Sequence, residues 1–338
     1  MSIEVIKPGL LTTIQDLGRF GFQKYGVIAG GAMDSFALRT ANMAVGNPEG
    51  TAALEITLTG PVLAFREEVM IAVCGADLSP NIGGVGVPMW RPVLVPKGST
   101  LSFGEPVAGC RAYLAAAGGF EVAPVMLSRS TYLRAGIGGW EGRALREGDR
   151  LTIGKPTGLA KKIMSRLPSA SESFPFAAAS WRISSHMLPA TAYGRGRDKV
   201  VRALPGSEFG RFDERGRKSL FSEPFQILPQ SDRMGYRLAG PVLQLSEPLE
   251  MISGAVAFGT VQVPPDGNPI VLMADRQTTG GYPKIAQVIT ADLPILAQAR
   301  PGDWIRFREV SLREAEELLF IRELEFVSLK KGLETKYR

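Results

Sequence analysis

The sequence predicts a mainly β protein with few helices. A turn followed by alternating apolar and polar residues recurs three times, at 98–103, 148–153 and 302–307. This alternation has the period of a strand with one buried face, so each copy is expected to open a strand of a barrel or a sandwich. A second, glycine-containing pattern occurs at 16–22 and again at 232–236. Two related β domains account for both kinds of repeat.

Length and composition allow these two domains. The chain has 338 residues, of which 45% are hydrophobic, enough for two packed cores of ordinary size. Between about 155 and 200 the regular alternation ends and Ser, Pro, Ala and Lys accumulate, which is typical of a linker. We predict a first β domain over 1–190 with its linker at about 155–200, a second β domain over 200–308, and a C-terminal helix with a basic tail over 309–338.

Two helices have recognisable N-terminal signals. Asp34 can cap a segment whose apolar residues share one face, and Gly46 ends that segment. Ser311 and Glu314 form a capping box before an apolar run near the C-terminus. The first helix is expected to pack on a sheet, and the second to dock on the rest of the chain.

Charge and targeting signals narrow the possible partners. The net charge is +6, but Arg and Lys are scattered among acidic residues, which favours a small carboxylate-bearing ligand over nucleic acid. The N-terminus has no basic start with an apolar stretch, and no run of eighteen apolar residues occurs. We therefore expect a cytoplasmic protein that binds neither nucleic acid nor membrane.

Metal and nucleotide chemistry have little support in the sequence. Cys74 and Cys110 form no C-x-x-C pair, and His186, the only histidine, falls in the predicted linker. No metal site is expected. The glycine-rich phosphate-binding patterns of nucleotide-binding proteins do not occur. Any nucleotide would therefore have to bind by another route.

The strongest candidate site is the loop that follows the apolar run 270–274. Its glycines permit close backbone approach, and its polar side chains supply many donors and acceptors, which favours a small polar ligand over a solvated hairpin. The polar residues are Asp275, Arg276, Gln277, Thr278, Thr279 and Lys284.

Within this loop we predict Asp275 and Lys284 as the catalytic acid–base pair, because mutual pairing and burial would tune both groups. A structural ion pair is the alternative interpretation. Thr278 and Thr279, with nearby glycine amides, can donate hydrogen bonds to an oxyanion. Gln262 lies in a neighbouring segment that backs the loop.

Three other polar segments compete as sites. Arg233 lies in the segment 231–237 and can clamp a carboxylate with two hydrogen bonds. The other two segments supply a possible second site. For all three segments, a structural role through Arg-to-carbonyl or Asp-capping hydrogen bonds is an equal alternative. The candidate residues of the possible second site are Gln15, Asp16, Arg19, Ser130, Tyr132 and Arg134.

Four of these motifs resemble the biotin-dependent carboxyltransferase-like family: Thr13–Arg19, Gly31–Asp34, Ser128–Tyr132 and Asp275–Pro283. The family includes the carboxyltransferase region of urea carboxylase, one of the two allophanate hydrolase components, and the C subunit of 5-oxoprolinase. The resemblance extends to about Phe307. It implies two cyclophilin-like β-barrel domains with a ligand cleft between them.

The segments at 90–93 and 136–145 most resemble the free-standing Bacillus-type members of the 5-oxoprolinase branch, which are also described as antagonists of a kinase inhibitor. That similarity implies a polypeptide that helps cleave 5-oxo-L-proline to L-glutamate with ATP hydrolysis, together with the A and B subunits of 5-oxoprolinase. The B-type partner is also known as a kinase inhibitor. In this reaction Arg233 is expected to hold the substrate carboxylate. The ring carbonyl is expected to be bound by Gln277, Thr278 and Thr279, with Gln262 and Tyr282 beside them.

The resemblance leaves two alternatives open. One is a carboxyltransferase component acting on urea or a similar amide; because the chain lacks an Ala-Met-Lys-Met-type segment, biotin would then be carried by another protein. The other is a regulatory module without chemistry of its own, which binds and antagonises an inhibitor of a histidine kinase. ATP belongs to the main interpretation and can be held wholly or partly by a partner protein.

Overall fold

A computed structural model describes residues 1–168, 175–183, 193, 196 and 198–338. The described part is mainly β, as the sequence predicts, and it contains five α-helices. It divides into two compact units, each built from separated stretches of chain. The first unit comprises Met1–Arg19, Asp34–Leu188 and Glu325–Arg338, and the second comprises Phe20–Met33 and Pro189–Leu324.

The first unit contains two six-stranded sheets. Their strand orders are β11-β1-β4-β9-β6-β7 and β12-β8-β5-β10-β3-β2. The central strands β5 and β10 pair antiparallel and are buried along almost their whole length, as expected for strands covered on both faces. The strands are β1 Ser2–Lys7, β2 Leu11–Gln15, β3 Ala53–Thr57, β4 Val62–Phe65, β5 Val69–Asp77, β6 Asn81–Ile82, β7 Val85–Gly86, β8 Val93–Val95, β9 Thr100–Ser102, β10 Ala108–Ala116, β11 Arg150–Thr152 and β12 Ala177–Ala178.

The second unit is built on a closed barrel with strand order β13-β20-β17-β18-β15-β14-β21. Parallel pairing of β13 with β21 joins early and late strands of the barrel. The short strands β16 and β19 form a separate two-stranded sheet. The strands are β13 Asp198–Pro205, β14 Pro224–Ile227, β15 Gly235–Ala239, β16 Gly254–Ala255, β17 Thr260–Gln262, β18 Ile270–Leu272, β19 Thr279–Gly280, β20 Lys284–Val288 and β21 Trp304–Glu309.

Barrel closure therefore distinguishes the two units. The resemblance implied two barrels, whereas the first unit has two open sheets whose edges are mostly strands of two or three residues. Such short edge strands offer few unpaired backbone groups for closure. The repeated turn-and-strand pattern is confirmed in both units, since its three copies lead into β9, β11 and β21.

Both predicted helix starts are confirmed. The Asp34 carboxylate accepts a hydrogen bond from Ala37 N at 2.9 Å and caps the first helix, which packs on β5 and β10. Ser311 Oγ accepts a hydrogen bond from Glu314 N at 3.2 Å, and the last helix runs on through the predicted basic tail. No helix in the described ranges is long and apolar enough to cross a membrane. The helices are α1 Ser35–Ala44, α2 Gly158–Met164, α3 Glu214–Ser222, α4 Leu293–Ala297 and α5 Leu312–Lys336.

The segment Phe20–Met33 joins the second unit although it lies early in the chain. Met33 is fully buried in the core of that unit. The predicted domain boundary at about 155–200 stays a prediction, because residues 169–174 and 184–192 lie outside the described residues. His186 is among them.

Candidate functional site

The predicted loop occupies the connection between β18 and β20 in the second unit. Within it, β19 pairs with β16, and Val256 N donates to Thr278 O at 3.2 Å. This pairing fixes the backbone of the loop and leaves its side chains at different depths. Three of the candidate residues, Gln277, Thr279 and Tyr282, are exposed, Thr278 and Lys284 are half-buried, and Asp275 is buried.

Asp275 forms a two-point ion pair with Arg233. Arg233 Nε lies 2.9 Å from Oδ2 of the carboxylate and Nη2 lies 3.0 Å from Oδ1. The backbones are joined as well, since Asp275 N donates to Arg233 O at 2.8 Å. Arg233 Nη2 also donates to Gly31 O at 2.6 Å. Both side chains are less than a tenth exposed, so this is a buried pair with complementary fork geometry.

The predicted partnership of Asp275 with Lys284 does not form between these two described residues. Asp275 follows β18, and β18 pairs with β15, which starts just after Arg233. Lys284 opens β20, which pairs with β17 and β13. The two residues are close in sequence but belong to different strand pairs of the barrel. The catalytic role of Asp275 and carboxylate binding by Arg233 stay predictions.

Lys284 lies instead beside Gln262, its partner in the β17–β20 ladder. The register shifts at this point, and such bulges re-aim side chains and are common next to active sites. Gln262 is buried, and its Nε2 donates to Tyr282 O at 3.1 Å. The ladder thus brings three of the predicted substrate-binding or catalytic residues together: Gln262, Tyr282 and Lys284.

A fourth group at this place was not predicted. Glu208 Oε2 accepts a hydrogen bond from Lys284 N at 2.9 Å and lies 3.9 Å from Lys284 Nζ. The two side chains are each slightly under one-fifth exposed. Glu208 precedes Lys284 by 76 positions, and the only local signal is the Pro205–Gly206 turn before it. We call Glu208, Gln262, Tyr282 and Lys284 the Lys284 cluster.

Arg276 lies in the sequence between Asp275, which pairs with Arg233, and the more exposed residues of the loop. Its side chain donates to Met273 O at 3.4 Å and to Val256 O at 3.5 Å, and the guanidinium lies 5.8 Å from the centre of the Phe258 ring. Burial lowers the pKa of Arg276, and the negative charge of Asp275 opposes that effect. Through these contacts Arg276 holds the start of the loop against neighbouring residues of the second unit. The accessible polar groups come from the residues that follow Arg276.

The first-unit candidates form a buried hydrogen-bond network. The Asp16 carboxylate accepts from Ser128 Oγ at 2.7 Å, from Ser130 Oγ at 2.5 Å and from Arg129 N at 2.6 Å. Arg19 is fully buried and donates to Ser130 O at 2.6 Å. This network ties the 13–19 motif to the 128–132 motif. It supports the structural alternative stated for these residues.

The remaining first-unit candidates are Gln15, Tyr132 and Arg134. Gln15 Nε2 donates to Thr131 O at 3.2 Å and is fully buried. Tyr132 is half-buried, and its backbone N donates to Ile137 O at 2.9 Å. Arg134 is exposed. Their functional roles stay predictions.

The fold and these motifs define a class of protein. Residues 25–309 match the family described as carboxyltransferase domain, subdomain A and B, and the chain belongs to this family. The family membership predicted from the four motifs is thereby confirmed.

Similar proteins include components of 5-oxoprolinase. The chain is 40% identical over 317 residues to the 5-oxoprolinase C subunit of Haemophilus influenzae, with 94% of each chain covered. It is 41% identical over 314 residues to the 5-oxoprolinase C subunit of Escherichia coli K12, with 93% of each covered. These relatives and the present chain thus match over almost their full lengths.

A solved structure shows the same fold within a larger protein. The crystal structure of Kluyveromyces lactis urea carboxylase superimposes with a TM-score of 0.86 at 30% identity and covers 98% of this chain. The chain spans 29% of that protein. The fold therefore also occurs as one region of a multidomain enzyme.

Proposed function

We propose that the chain is the C subunit of an ATP-dependent 5-oxoprolinase, which cleaves 5-oxo-L-proline to L-glutamate. The observation that carries the proposal is the identity of 40–41% with 5-oxoprolinase C subunits over at least 93% of both chains. A match of this length includes both β units and the loop between β18 and β20. The chain then contributes to the hydrolysis of a cyclic amide together with partner proteins.

The proposed site is the Lys284 cluster with the exposed part of the loop. Cleavage of a lactam needs a donor to its carbonyl oxygen and a group that supplies a proton to the departing nitrogen. Lys284 carries an ammonium group at a half-buried position and is assigned the proton-handling role. The proposed substrate-binding residues around it are Gln262, Gln277, Thr278, Thr279 and Tyr282.

Asp275 and Arg233 enter the proposal as a pair. Arg233 already binds the Asp275 carboxylate through its Nε and Nη2, so a substrate carboxylate would have to replace Asp275 to bind at these two donors. While the pair is intact, it fixes the start of the loop and thereby positions the residues that follow. An exchange that releases Asp275 would give it the acid–base role predicted from the sequence.

The proposal places ATP on a partner protein or at an interface shared with one. The Lys284 cluster offers one ammonium beside the Glu208 carboxylate, a charge balance that does not suit a triphosphate. The A and B subunits of 5-oxoprolinase are the proposed partners, and a small cyclic amide is the ligand of this chain. We also propose a cytoplasmic location. Both β units are proposed to be cyclophilin-like, and the turn-and-strand patterns that occur in both units support this part of the proposal.

A second candidate is a carboxyltransferase component acting on urea or a similar amide. The superposition on urea carboxylase favours it, because both β units match with a TM-score of 0.86. Urea and 5-oxoproline share a planar amide group, so the same donors can serve either substrate. Biotin would then have to arrive on another protein.

One comparison separates the candidates. The purified chain is combined with its cognate A and B subunits, and glutamate released from 5-oxo-L-proline is measured with and without ATP. The same mixtures are tested with urea and a carboxybiotin-bearing carrier protein. ATP-dependent glutamate release supports the proposal, carboxyl transfer to urea supports the second candidate, and neither activity in an assembled complex contradicts both.

A further inference from the structure

Glu208 both donates a hydrogen bond to Lys284 and accepts one from it. Its backbone N donates to Lys284 O at 3.2 Å, while its Oε2 accepts from Lys284 N at 2.9 Å. These two hydrogen bonds form a reciprocal pair between a loop and the first residue of β20. The carboxylate therefore has a fixed place relative to the Lys284 backbone.

The chain can approach β20 this closely because of Gly206. Gly206 N donates to Ile285 O at 2.8 Å, and a Cβ at this position would lie 2.8 Å from Ala286 N. Real Cβ atoms do not come so near a backbone atom, so the approach requires glycine. Phe209 N donates to Gly206 O at 3.1 Å and closes a turn. The Phe209 ring packs on the Phe221 ring, with 5.9 Å between the ring centres. Glu208 is thus held from both sides.

The Lys284 ammonium, in contrast, has donors left for a ligand. Within the described part of the chain its Nζ makes no hydrogen bond, and its nearest carboxylate oxygen is Glu208 Oε2 at 3.9 Å. A Cβ built on Gly254 would lie 3.6 Å from Nζ, so the ammonium end lies against the bare backbone of β16. Attraction by the fixed carboxylate restrains the flexible lysine stem at this point.

We infer that Glu208 is a positioning residue that orients the Lys284 ammonium toward the amide group of the substrate. The inference rests on the proposed site at Lys284. Glu208 acts through Lys284 and does not itself contact the reacting atoms. Without the carboxylate, the ammonium would sample several rotamers, and misplacement of a catalytic group by about 1 Å can cost on the order of 100-fold in rate.

The test compares three variants in the complex reconstituted with the A and B subunits. Glu208→Gln keeps an oxygen acceptor for Lys284 N and removes only the charge, Glu208→Asp keeps the charge, and Glu214→Gln is the control at an exposed position of α3. We expect Glu208→Gln to lower kcat for glutamate release by about 10- to 100-fold with KM within about twofold. Glu208→Asp should recover part of that loss, and Glu214→Gln should match the wild type.

Two outcomes overturn the inference: kcat of Glu208→Gln equal to that of Glu214→Gln, or a change confined to KM. If the wild-type complex releases no glutamate, the proposed substrate fails, and crystal structures of the full chain decide about Glu208 on their own. Displacement of Lys284 Nζ from the Gly254 backbone in Glu208→Gln supports positioning. An unmoved Nζ contradicts it.

Discussion

The two ion pairs of the loop between β18 and β20 differ in what they leave available. Asp275 and Arg233 meet at 2.9 and 3.0 Å, and both side chains are less than a tenth exposed. Lys284 and Glu208 are separated by 3.9 Å, and each side chain is nearly one-fifth exposed. Asp275 and Arg233 satisfy each other, whereas the Lys284 ammonium makes no hydrogen bond within the described residues. The density of polar residues marks the loop, and the contacts distinguish its buried ion pair from the residues that we propose as the site.

The family motifs show the same division. The Asp16 network is specific enough in sequence to identify the family, yet its carboxylate is enclosed by hydroxyl and amide donors. Several hydrogen bonds to one buried carboxylate fix the segments that supply the donors. A diagnostic motif can therefore reflect the need to hold two segments together.

On stability, the largest effect is expected at Asp275. Asp275→Asn leaves Arg233 buried without its carboxylate, so the free energy of unfolding should fall by about 3–5 kcal/mol. Urea unfolding of the purified chain measures this change. The double variant Arg233→Met with Asp275→Leu is the control, since an apolar pair should recover most of the loss. A loss below about 1 kcal/mol in Asp275→Asn would show that the pair is not structural.

The ion pair of Asp149 with Arg143 is more exposed than the Asp275–Arg233 pair but still partly buried. Arg143 donates to the two Asp149 carboxylate oxygens at 2.8 and 2.9 Å, and the side chains are 22% and 10% exposed. Asp149→Asn should lower the free energy of unfolding by about 1–2 kcal/mol near neutral pH, less than Asp275→Asn. Urea unfolding under the same conditions allows direct comparison. Equal losses of unfolding free energy in Asp149→Asn and Asp275→Asn would show that burial does not determine how much each pair stabilises the fold.

The Asp149 effect should also depend on pH. Burial by itself would raise the pKa of Asp149, but hydrogen bonds from Arg143 and Arg146 N outweigh it and hold the pKa below its ordinary value of 3.8. The stabilisation is then complete above 3.8 and is lost as pH falls through the lower folded-state pKa. The wild type and Asp149→Asn should therefore converge in stability in strong acid. A constant difference across that range would contradict the assignment.

The smallest effect is expected at an exposed pair on α5. Arg313 and Glu317 are one helical turn apart with 2.9 Å between charged atoms, and their side chains are 89% and 59% exposed. Glu317→Gln should change the free energy of unfolding by no more than about 0.5 kcal/mol, and added salt should remove most of the effect. Urea unfolding at low and high salt provides the measurement, and a loss above about 1 kcal/mol would disagree.

Local signals in the sequence predicted much of the fold. Asp34 and Ser311 mark helix starts because an N-cap depends on residues within one turn. The strands after the three repeated turns follow from a period of two. By contrast, the place of Phe20–Met33 in the second unit depends on contacts with residues far along the chain, such as Arg233 with Gly31 O.

The sequence marked the loop as a candidate site but did not show which of its residues would pair. The loop was recognisable from its polar crowding, yet nothing local indicated that Asp275 would bind Arg233, 42 positions earlier. Glu208 was missed for the same reason, because its link to Lys284 spans 76 positions. Strand register decides which polar residues meet across a barrel, and register is a property of the whole sheet.

The central claim is that Asp275 and Arg233 stabilise the loop whereas Lys284 serves the reaction. The most direct test measures the activity and stability of Lys284→Met. In the reconstituted complex, kcat/KM for ATP-dependent glutamate release should fall by about 10²- to 10⁴-fold, while the free energy of unfolding of the purified chain stays within about 0.5 kcal/mol of the wild type. Lys218→Met, at an exposed position of α3, is the control and should change neither quantity. Wild-type turnover in Lys284→Met, or a loss explained by unfolding, would contradict the account.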